Sequence, residues 1–249
     1  MIQLGSVALN GTPRIAVGFA DRIRPQLIVD ARGLGVDIAE LRIDLYSDWR
    51  RKYVLNEVKK FKDFSSIATI RSKNEGGKWD GTEKDRLELF RAVMPEVAAV
   101  DIELSSEKII IPVIQLAHEA EKLVIVSFHD FKKTPAIREL EKIIDKAKAL
   151  GADLVKIATD ASSDEDIQRL AGLTLANKSK NIVTIAMGGK GAISRIIFPA
   201  LGSLITYASL GPSMAPGQLD YRDTFELIRR LYPKFNEEKI TALNLLEAV

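Results

Sequence analysis

Apolar and polar positions along this chain switch repeatedly between two periods. Short apolar runs of strand length alternate with longer stretches that have helical spacing. Residues 14–18, 38–45, 66–71, 98–104, 123–129, 154–158, 182–187 and 204–209 read as strands. Residues 25–34, 52–60, 82–93, 112–121, 137–150, 164–177, 192–201 and 221–231 read as the helices that follow them. Thr82-Glu83-Lys84-Asp85 opens one of these helices, and Gly151 ends another. Eight strand–helix units in succession, with no linker between them, predict an α/β fold, the (β/α)8 TIM barrel. A doubly wound sheet is the alternative, but no Gly-x-Gly-x-x-Gly follows the first strand. Ile2-Gln3-Leu4 and Val7-Ala8-Leu9, with Asn10-Gly11 as a turn, predict a small hairpin over residues 1–11. Residues 1–249 are expected to form one barrel domain. Residues 235–249 extend beyond the eighth helix as an extra helix, an interface element or a loose tail.

Composition narrows the picture by exclusion. The 249 residues are 46% hydrophobic, enough for a sizeable core, and contain no cysteine. Disulfides and thiolate metal sites are therefore excluded. The net charge is +2, with acids and bases interspersed, which gives no argument for nucleic acid. No apolar run approaches a membrane span, and the N-terminus lacks the layout of a signal peptide, so a soluble cytoplasmic protein is expected. Only two histidines are present, and His118-Glu119 lacks a second histidine four residues from His118. That spacing argues against a zincin, and no metal site is expected. A Gly-x-Ser-x-Gly elbow is absent as well.

The chemistry concentrates at the C-terminal ends of the strands. Ala152 to Ala158 reads Ala-Asp-Leu-Val-Lys-Ile-Ala, a buried strand with Lys156 in its middle. Lys156 shares a face with Leu154 and Ala158, while Val155 and Ile157 take the other. A buried lysine is either ion-paired, snorkelling, or, with its proton eased off by burial and neighbouring cations, reactive toward a carbonyl as a Schiff base. Glu40 and Arg42 share one face of the second strand, and Asp101 and Glu103 one face of the fourth. Arg71 and His129 stand at the ends of the third and fifth. So many inward-capable charges at one end predict a polar pocket at the barrel mouth, where barrel active sites lie. A stabilising ring of ion pairs is the alternative.

Three loops add to the set. Glu75 follows Arg71 by four residues. Met187-Gly188-Gly189-Lys190-Gly191 leads into Ala192-Ile193-Ser194-Arg195, a glycine-rich loop able to cradle an anion at a helix start. Leu210 to Asp220 carries Gly211, Pro212, Pro216 and Gly217 around Ser213, Met214 and Gln218, and reads as a shaped lid.

Taken in order, these segments resemble the type I 3-dehydroquinate dehydratases of the shikimate pathway. The resemblance runs from about Arg14 to Leu231. It is carried by Ala39-Glu40-Leu41-Arg42-Ile43-Asp44, by Thr69-Ile70-Arg71 through Glu75-Gly76-Gly77, and by Asp101-Ile102-Glu103-Leu104. Ser127-Phe128-His129-Asp130-Phe131, Asp153-Leu154-Val155-Lys156-Ile157-Ala158, Met187-Gly188 to Ser194-Arg195, and Ala215-Pro216-Gly217-Gln218 complete it. What the resemblance implies is a lyase that removes water from 3-dehydroquinate, without metal or organic cofactor, in a homodimer. It assigns Lys156 to the imine, His129 to acid–base work and Glu75 to orienting the histidine, whose charged form a neighbouring carboxylate is expected to favour. Glu40, Arg42, Arg71, Arg195 and Gln218 fall at substrate-binding positions, and Ser213, Met214, Met187, Asp101 and Glu103 at lid or supporting ones. Met214 departs from the family, which usually has serine there. Two rivals remain: a Schiff-base aldolase of a sugar phosphate on the same fold, and a non-catalytic barrel that binds a partner or nucleic acid.

Overall fold

The computed structural model describes residues 2–9, 11–211 and 213–247, the last seven as backbone only. Strands β1 (Gln3–Leu4) and β2 (Val7–Ala8) form an antiparallel hairpin. Its turn is Gly5-Ser6, where Gly5 takes a φ of 58°, rather than the expected Asn10-Gly11; Asn10 lies outside the described residues. The barrel follows as β3 (Arg14–Phe19), α1 (Pro25–Gly33), β4 (Ile38–Arg42), α2 (Arg51–Val58), β5 (Ser65–Thr69) and α3 (Glu83–Val93). It continues through β6 (Ala99–Glu103), α4 (Ile110–Glu119), β7 (Leu123–Asp130), α5 (Ile137–Ala149), β8 (Leu154–Asp160) and α6 (Asp164–Ala176). It ends with β9 (Ile182–Met187), α7 (Ser194–Leu201), β10 (Ile205–Ala208) and α8 (Tyr221–Leu231). A last helix, α9 (Pro233–Glu247), lies beyond it.

The eight barrel strands are all parallel, in the order β10-β3-β4-β5-β6-β7-β8-β9. The seam between β9 and β10 is drawn together by Leu204 N–H donating to Ile182 O at 2.9 Å, and by Thr184 N–H donating to the Ser203 hydroxyl at 3.0 Å. Period-two alternation sorts each strand's side chains between two cores. Ala16, Ile38, Ile67, Ala99, Ile125, Leu154 and Ile205 fill the barrel interior. Val17, Ala39, Leu41, Val100, Ile102, Val155 and Ile157 pack outward against the helices. Each large side chain buried this way contributes about 1.5–3 kcal/mol. Leu4 and Leu9 join the interior core, so the hairpin plugs the barrel's N-terminal end. The apolar layers thus stop below the mouth, and the charged residues stand above them.

Some boundaries differ from the sequence reading. The second barrel strand stops at Arg42 because Ile43–Leu45 turns into a 3-10 helix. That turn swings Asp44 inward to form a bidentate pair with Arg42. Strand β8 runs on to Asp160, and a 3-10 turn at Lys190–Ile193 precedes α7. Thr82 caps α3, accepting from Asp85 N–H at 3.1 Å.

Candidate active site

A row of buried charges crosses the mouth from α3 to β4. Arg86, wholly buried on α3, donates to Glu103 Oε2, to the Ser106 hydroxyl and to Ile70 O. Glu103 Oε1 accepts from Arg71 Nη1 at 3.0 Å and from Ser72 N–H at 2.9 Å. Arg71 Nη2 donates to Asp101 Oδ1 at 2.8 Å. Lys156 Nζ lies 3.2 Å from Asp101 Oδ2 and 3.3 Å from Glu40 Oε1. Opposite charges alternate along this row, which is how buried ions survive desolvation. Burial alone would raise Asp101, but Arg71 and Lys156 hold it below the usual carboxylate range. Burial also works against the Lys156 ammonium, yet Glu40 and Asp101 outweigh it and hold the amine above its ordinary value. The expectation that neighbouring cations ease the proton off Lys156 is therefore corrected: its nearest charges are carboxylates.

His129 faces the same cavity from the end of β7. Its Nδ1 lies 2.9 Å from Glu75 Oε2, and its backbone N–H donates to the same oxygen at 2.9 Å. Ser105 donates to the other oxygen at 2.5 Å. Burial, with the nearby Glu103 charge, pushes Glu75 up to about 7. Burial, then Arg71 and Lys156, push the imidazole well below its ordinary value. The sequence reading expected Glu75 to favour charged histidine; burial and two cations reverse that balance. With Glu75 ionised, Nδ1 is the donor and the other ring nitrogen, Nε2, carries a lone pair.

Arg195, on α7, is the cavity's unbalanced cation. Its guanidinium donates to Gly217 O, Tyr207 O and Pro216 O at 2.8, 3.1 and 3.2 Å. No described carboxylate lies within ion-pair distance of it, whereas Arg42, Arg71 and Lys156 each have one. Burial alone pulls Arg195 down to about 10, still charged at neutral pH. A buried cation with donors to spare and no counter-ion is a receptor for an anionic group.

The loops are shaped by close backbone approach. A Cβ on Gly217 would meet Gly188 O at 2.1 Å, and one on Gly191 would meet Ala186 O at 2.4 Å. Gly191 of the seventh loop thus serves packing, Gly188 takes a φ of 86°, and Lys190 points away to an exposed pair with Asp164.

The cavity gathers Glu40, Arg42, Arg71, Glu75, His129, Lys156, Met187, Arg195, Met214 and Gln218. Asp101 and Glu103 lie behind it as counter-ions. Ser213 is exposed and donates to Ala215 O, so it is not brought into the site; Pro212 lies outside the described residues. Gln218 lines the cavity, but its amide joins Met214 N–H to Ala208 O at 2.9 Å on each side. Sequence reasoning missed Tyr207, Arg86, Ser105 and Phe131. Tyr207 shares the inward parity of Ile205, a signal available from alternation. Arg86 gave no signal, since one arginine in a charged helix reads as solvated.

The fold and the cavity define a (β/α)8-barrel protein with an enclosed, charged small-molecule site at its C-terminal mouth. Comparison with known proteins narrows the class. The type I 3-dehydroquinase family matches residues 22–233. A 3-dehydroquinate dehydratase of Methanococcoides burtonii is 36% identical over 227 residues, covering 90% of this chain and 96% of its own length. The 3-dehydroquinate dehydratase structure from Aquifex aeolicus superposes with a TM-score of 0.79 at 34% identity, over 88% of this chain and 99% of that one. The type I enzyme from Clostridium difficile, with covalently modified comenic acid, gives 0.83 at 26% identity, over 94% and 98%. The chain belongs to the type I 3-dehydroquinase family. Among the described residues no group of three or more His, Asp or Glu is placed to hold a metal, and no helix is long and apolar enough to cross a membrane.

Proposed function

We propose that this chain is a 3-dehydroquinate dehydratase, converting 3-dehydroquinate to 3-dehydroshikimate and water through an imine on Lys156. One observation carries the reading. A buried amine, a histidine held by a carboxylate, and a buried arginine lacking a counter-ion line one cavity. The substrate is a cyclic hydroxy-ketone bearing a carboxylate. Arg195 takes the carboxylate, and the remaining donors of Arg71 and Arg42 take ring hydroxyls together with Glu40.

The resting amine is an ammonium, so attack begins with loss of its proton to Glu40, in contact with it, while Asp101, held as the anion by Arg71, stays behind as a counter-ion. Nζ then bonds to the ketone carbon, and the ketone oxygen departs as water, leaving a protonated imine. That imine draws electrons from the neighbouring C–H bond, whose proton passes to His129 Nε2. The electron pair expels the β-hydroxyl, and His129 returns the proton to it, so a second water leaves. Hydrolysis of the conjugated imine consumes one water and restores the lysine. The net change is loss of one water.

The aldolase reading shares the lysine; the arginines from several elements and His129 in the same cavity favour dehydration of a carboxylate substrate. The homodimer and the cytoplasmic location complete the reading by family resemblance; light scattering of the purified chain tests the dimer. The decisive assay follows ultraviolet absorbance of the conjugated enone when 3-dehydroquinate is added. His129→Ala is expected to lower turnover about 10²–10⁴-fold, the usual range for a general acid–base group. No enone with the wild type, or full activity in His129→Ala, would defeat the reading.

A further inference from the structure

Tyr207 is a polar cavity residue that this chemistry leaves unused. It stands on β10 with its ring turned into the barrel beside Ile205 and Met187. Lys156 Nζ lies 4.2 Å from the ring centroid, over its face. The phenol is 4% exposed, and its buried hydroxyl makes no hydrogen bond of good geometry among the described residues, with the Lys156 ammonium beside it. Burial raises Tyr207 above its ordinary value, and Glu40 and Asp101 reinforce this against the opposing Lys156 charge. The group is therefore a neutral O–H, a donor, throughout the working range. Its own peptide carbonyl accepts from Arg195 Nη1 at 3.1 Å, so the phenol is in fixed register with the anion receptor as well as the amine.

A buried hydroxyl without a partner is costly, and such groups in a native structure call for an explanation. The orphaned hydroxyl of Tyr46 and indole N–H of Trp79 do not line this cavity, whereas Tyr207 does. The missing partner is then an acceptor that arrives in the cavity. An amine attacking a ketone forms its bond to the carbonyl carbon, and the carbonyl oxygen lies one bond beyond. With Nζ over the ring face, that oxygen comes within reach of the phenol edge.

We propose that the Tyr207 hydroxyl is a further catalytic residue, donating a hydrogen bond to the substrate ketone oxygen as Lys156 attacks. The proposal rests on the dehydration reading above. In the step concerned, the Nζ–C bond forms and the C=O π pair moves onto oxygen, where negative charge develops. Tyr207 stabilises that charge and keeps its own proton, as an oxyanion-hole donor does. The oxygen is then protonated at the expense of the nitrogen and leaves as water. Ammonium plus ketone gives protonated imine plus water, with nothing oxidised or reduced. Glu40, Asp101 and Arg71, which also face Lys156, serve its proton balance and the substrate's other groups.

Tyr207→Phe tests this, because it removes one oxygen that has no partner and leaves the packing ring in place. The variant is expected to melt no lower than the wild type. Imine formation, read as borohydride-trapped adduct against time with 3-dehydroquinate, is expected to slow about 10–100-fold, toward the effect of losing an oxyanion donor. Elimination from the imine once formed, read in a single turnover, is expected to be unchanged. A merely tolerated orphan would give a more stable and fully active Tyr207→Phe. Imine formation at the wild-type rate in that variant, beside an active wild type, overturns the proposal alone. A wild type that yields no enone overturns the dehydration reading itself.

Discussion

Lys156 rests as an ammonium between two carboxylates, and this sets the order of events at the site. In the proposed mechanism its amine becomes a nucleophile only after Glu40 takes a proton. Strand alternation placed Lys156, Glu40, Asp101 and Arg71 on inward faces, so the membership of the site was legible in the sequence. Which charge touches which was not, because that depends on the stagger between strands one to four places apart in the chain. Glu75 carries a consequence for pH. Its carboxyl is protonated in the folded and unfolded chain alike below about 4.5. Between there and about 7 the unfolded chain releases the proton and the folded chain keeps it. Stability therefore falls as pH rises through that window and is lost fully above it, on the order of 3 kcal/mol. Glu75→Gln never ionises, so it is expected to melt higher than the wild type at pH 8, with the gap closing toward pH 5. It is also expected to lose the acid limb of kcat/KM near pH 7, because that limb reports Glu75 ionising and freeing Nε2 as base. Paired thermal melts across pH, with rate profiles, check both; equal melting at pH 8 would show that Glu75 ionises without strain.

At the scale of elements, the strands and helices were read with errors of a few residues, and the loops less well. The 3-10 turn after β4 escaped because an Ile-Asp-Leu run reads as strand until Asp44 is seen to pair with Arg42. The final loop was read as a lid with Gln218 reaching for substrate. Its amide also braces the loop between Met214 N–H and Ala208 O. Gln218→Ala is then expected to loosen the loop and raise KM about tenfold, the equivalent of one hydrogen bond in a buried setting, with kcat little changed. A fall in kcat at constant KM would show that Gln218 acts on the reacting centre instead. The C-terminal helix α9 lies beyond the family match apart from its first residue, Pro233. Glu238 pairs with Arg14 at 2.7 Å, Lys239 Nζ with Asp37 Oδ1 at 2.7 Å, and Phe235 is wholly buried. These contacts fasten α9 to the starts of β3 and β4, a placement no local pattern announces. Lys239→Ala is expected to cost about 1–2 kcal/mol, lowering Tm by roughly 2–8 °C, and to leave turnover intact. An unchanged Tm would mean that the Lys239 contacts add nothing to the barrel's stability.

For the molecule as a whole, eight repeats of one unit made the barrel legible, since each strand's length, parity and following helix agree. Closure was not written in any one segment. It rests on Leu204 and Ser203 bonding back to β9, and on the hairpin's Leu4 and Leu9 filling the base. The plug and the apolar layers leave the mouth as the place where charges gather, and the alternating row from Arg86 to Glu40 makes that gathering tolerable. Everything then turns on whether Lys156 forms the imine. The measurement is borohydride added during turnover of 3-dehydroquinate, followed by mass mapping of the reduced protein. One adduct per chain, on the peptide containing Lys156, is the predicted result. Enone formation with no adduct, or with the adduct on another lysine, would contradict the account.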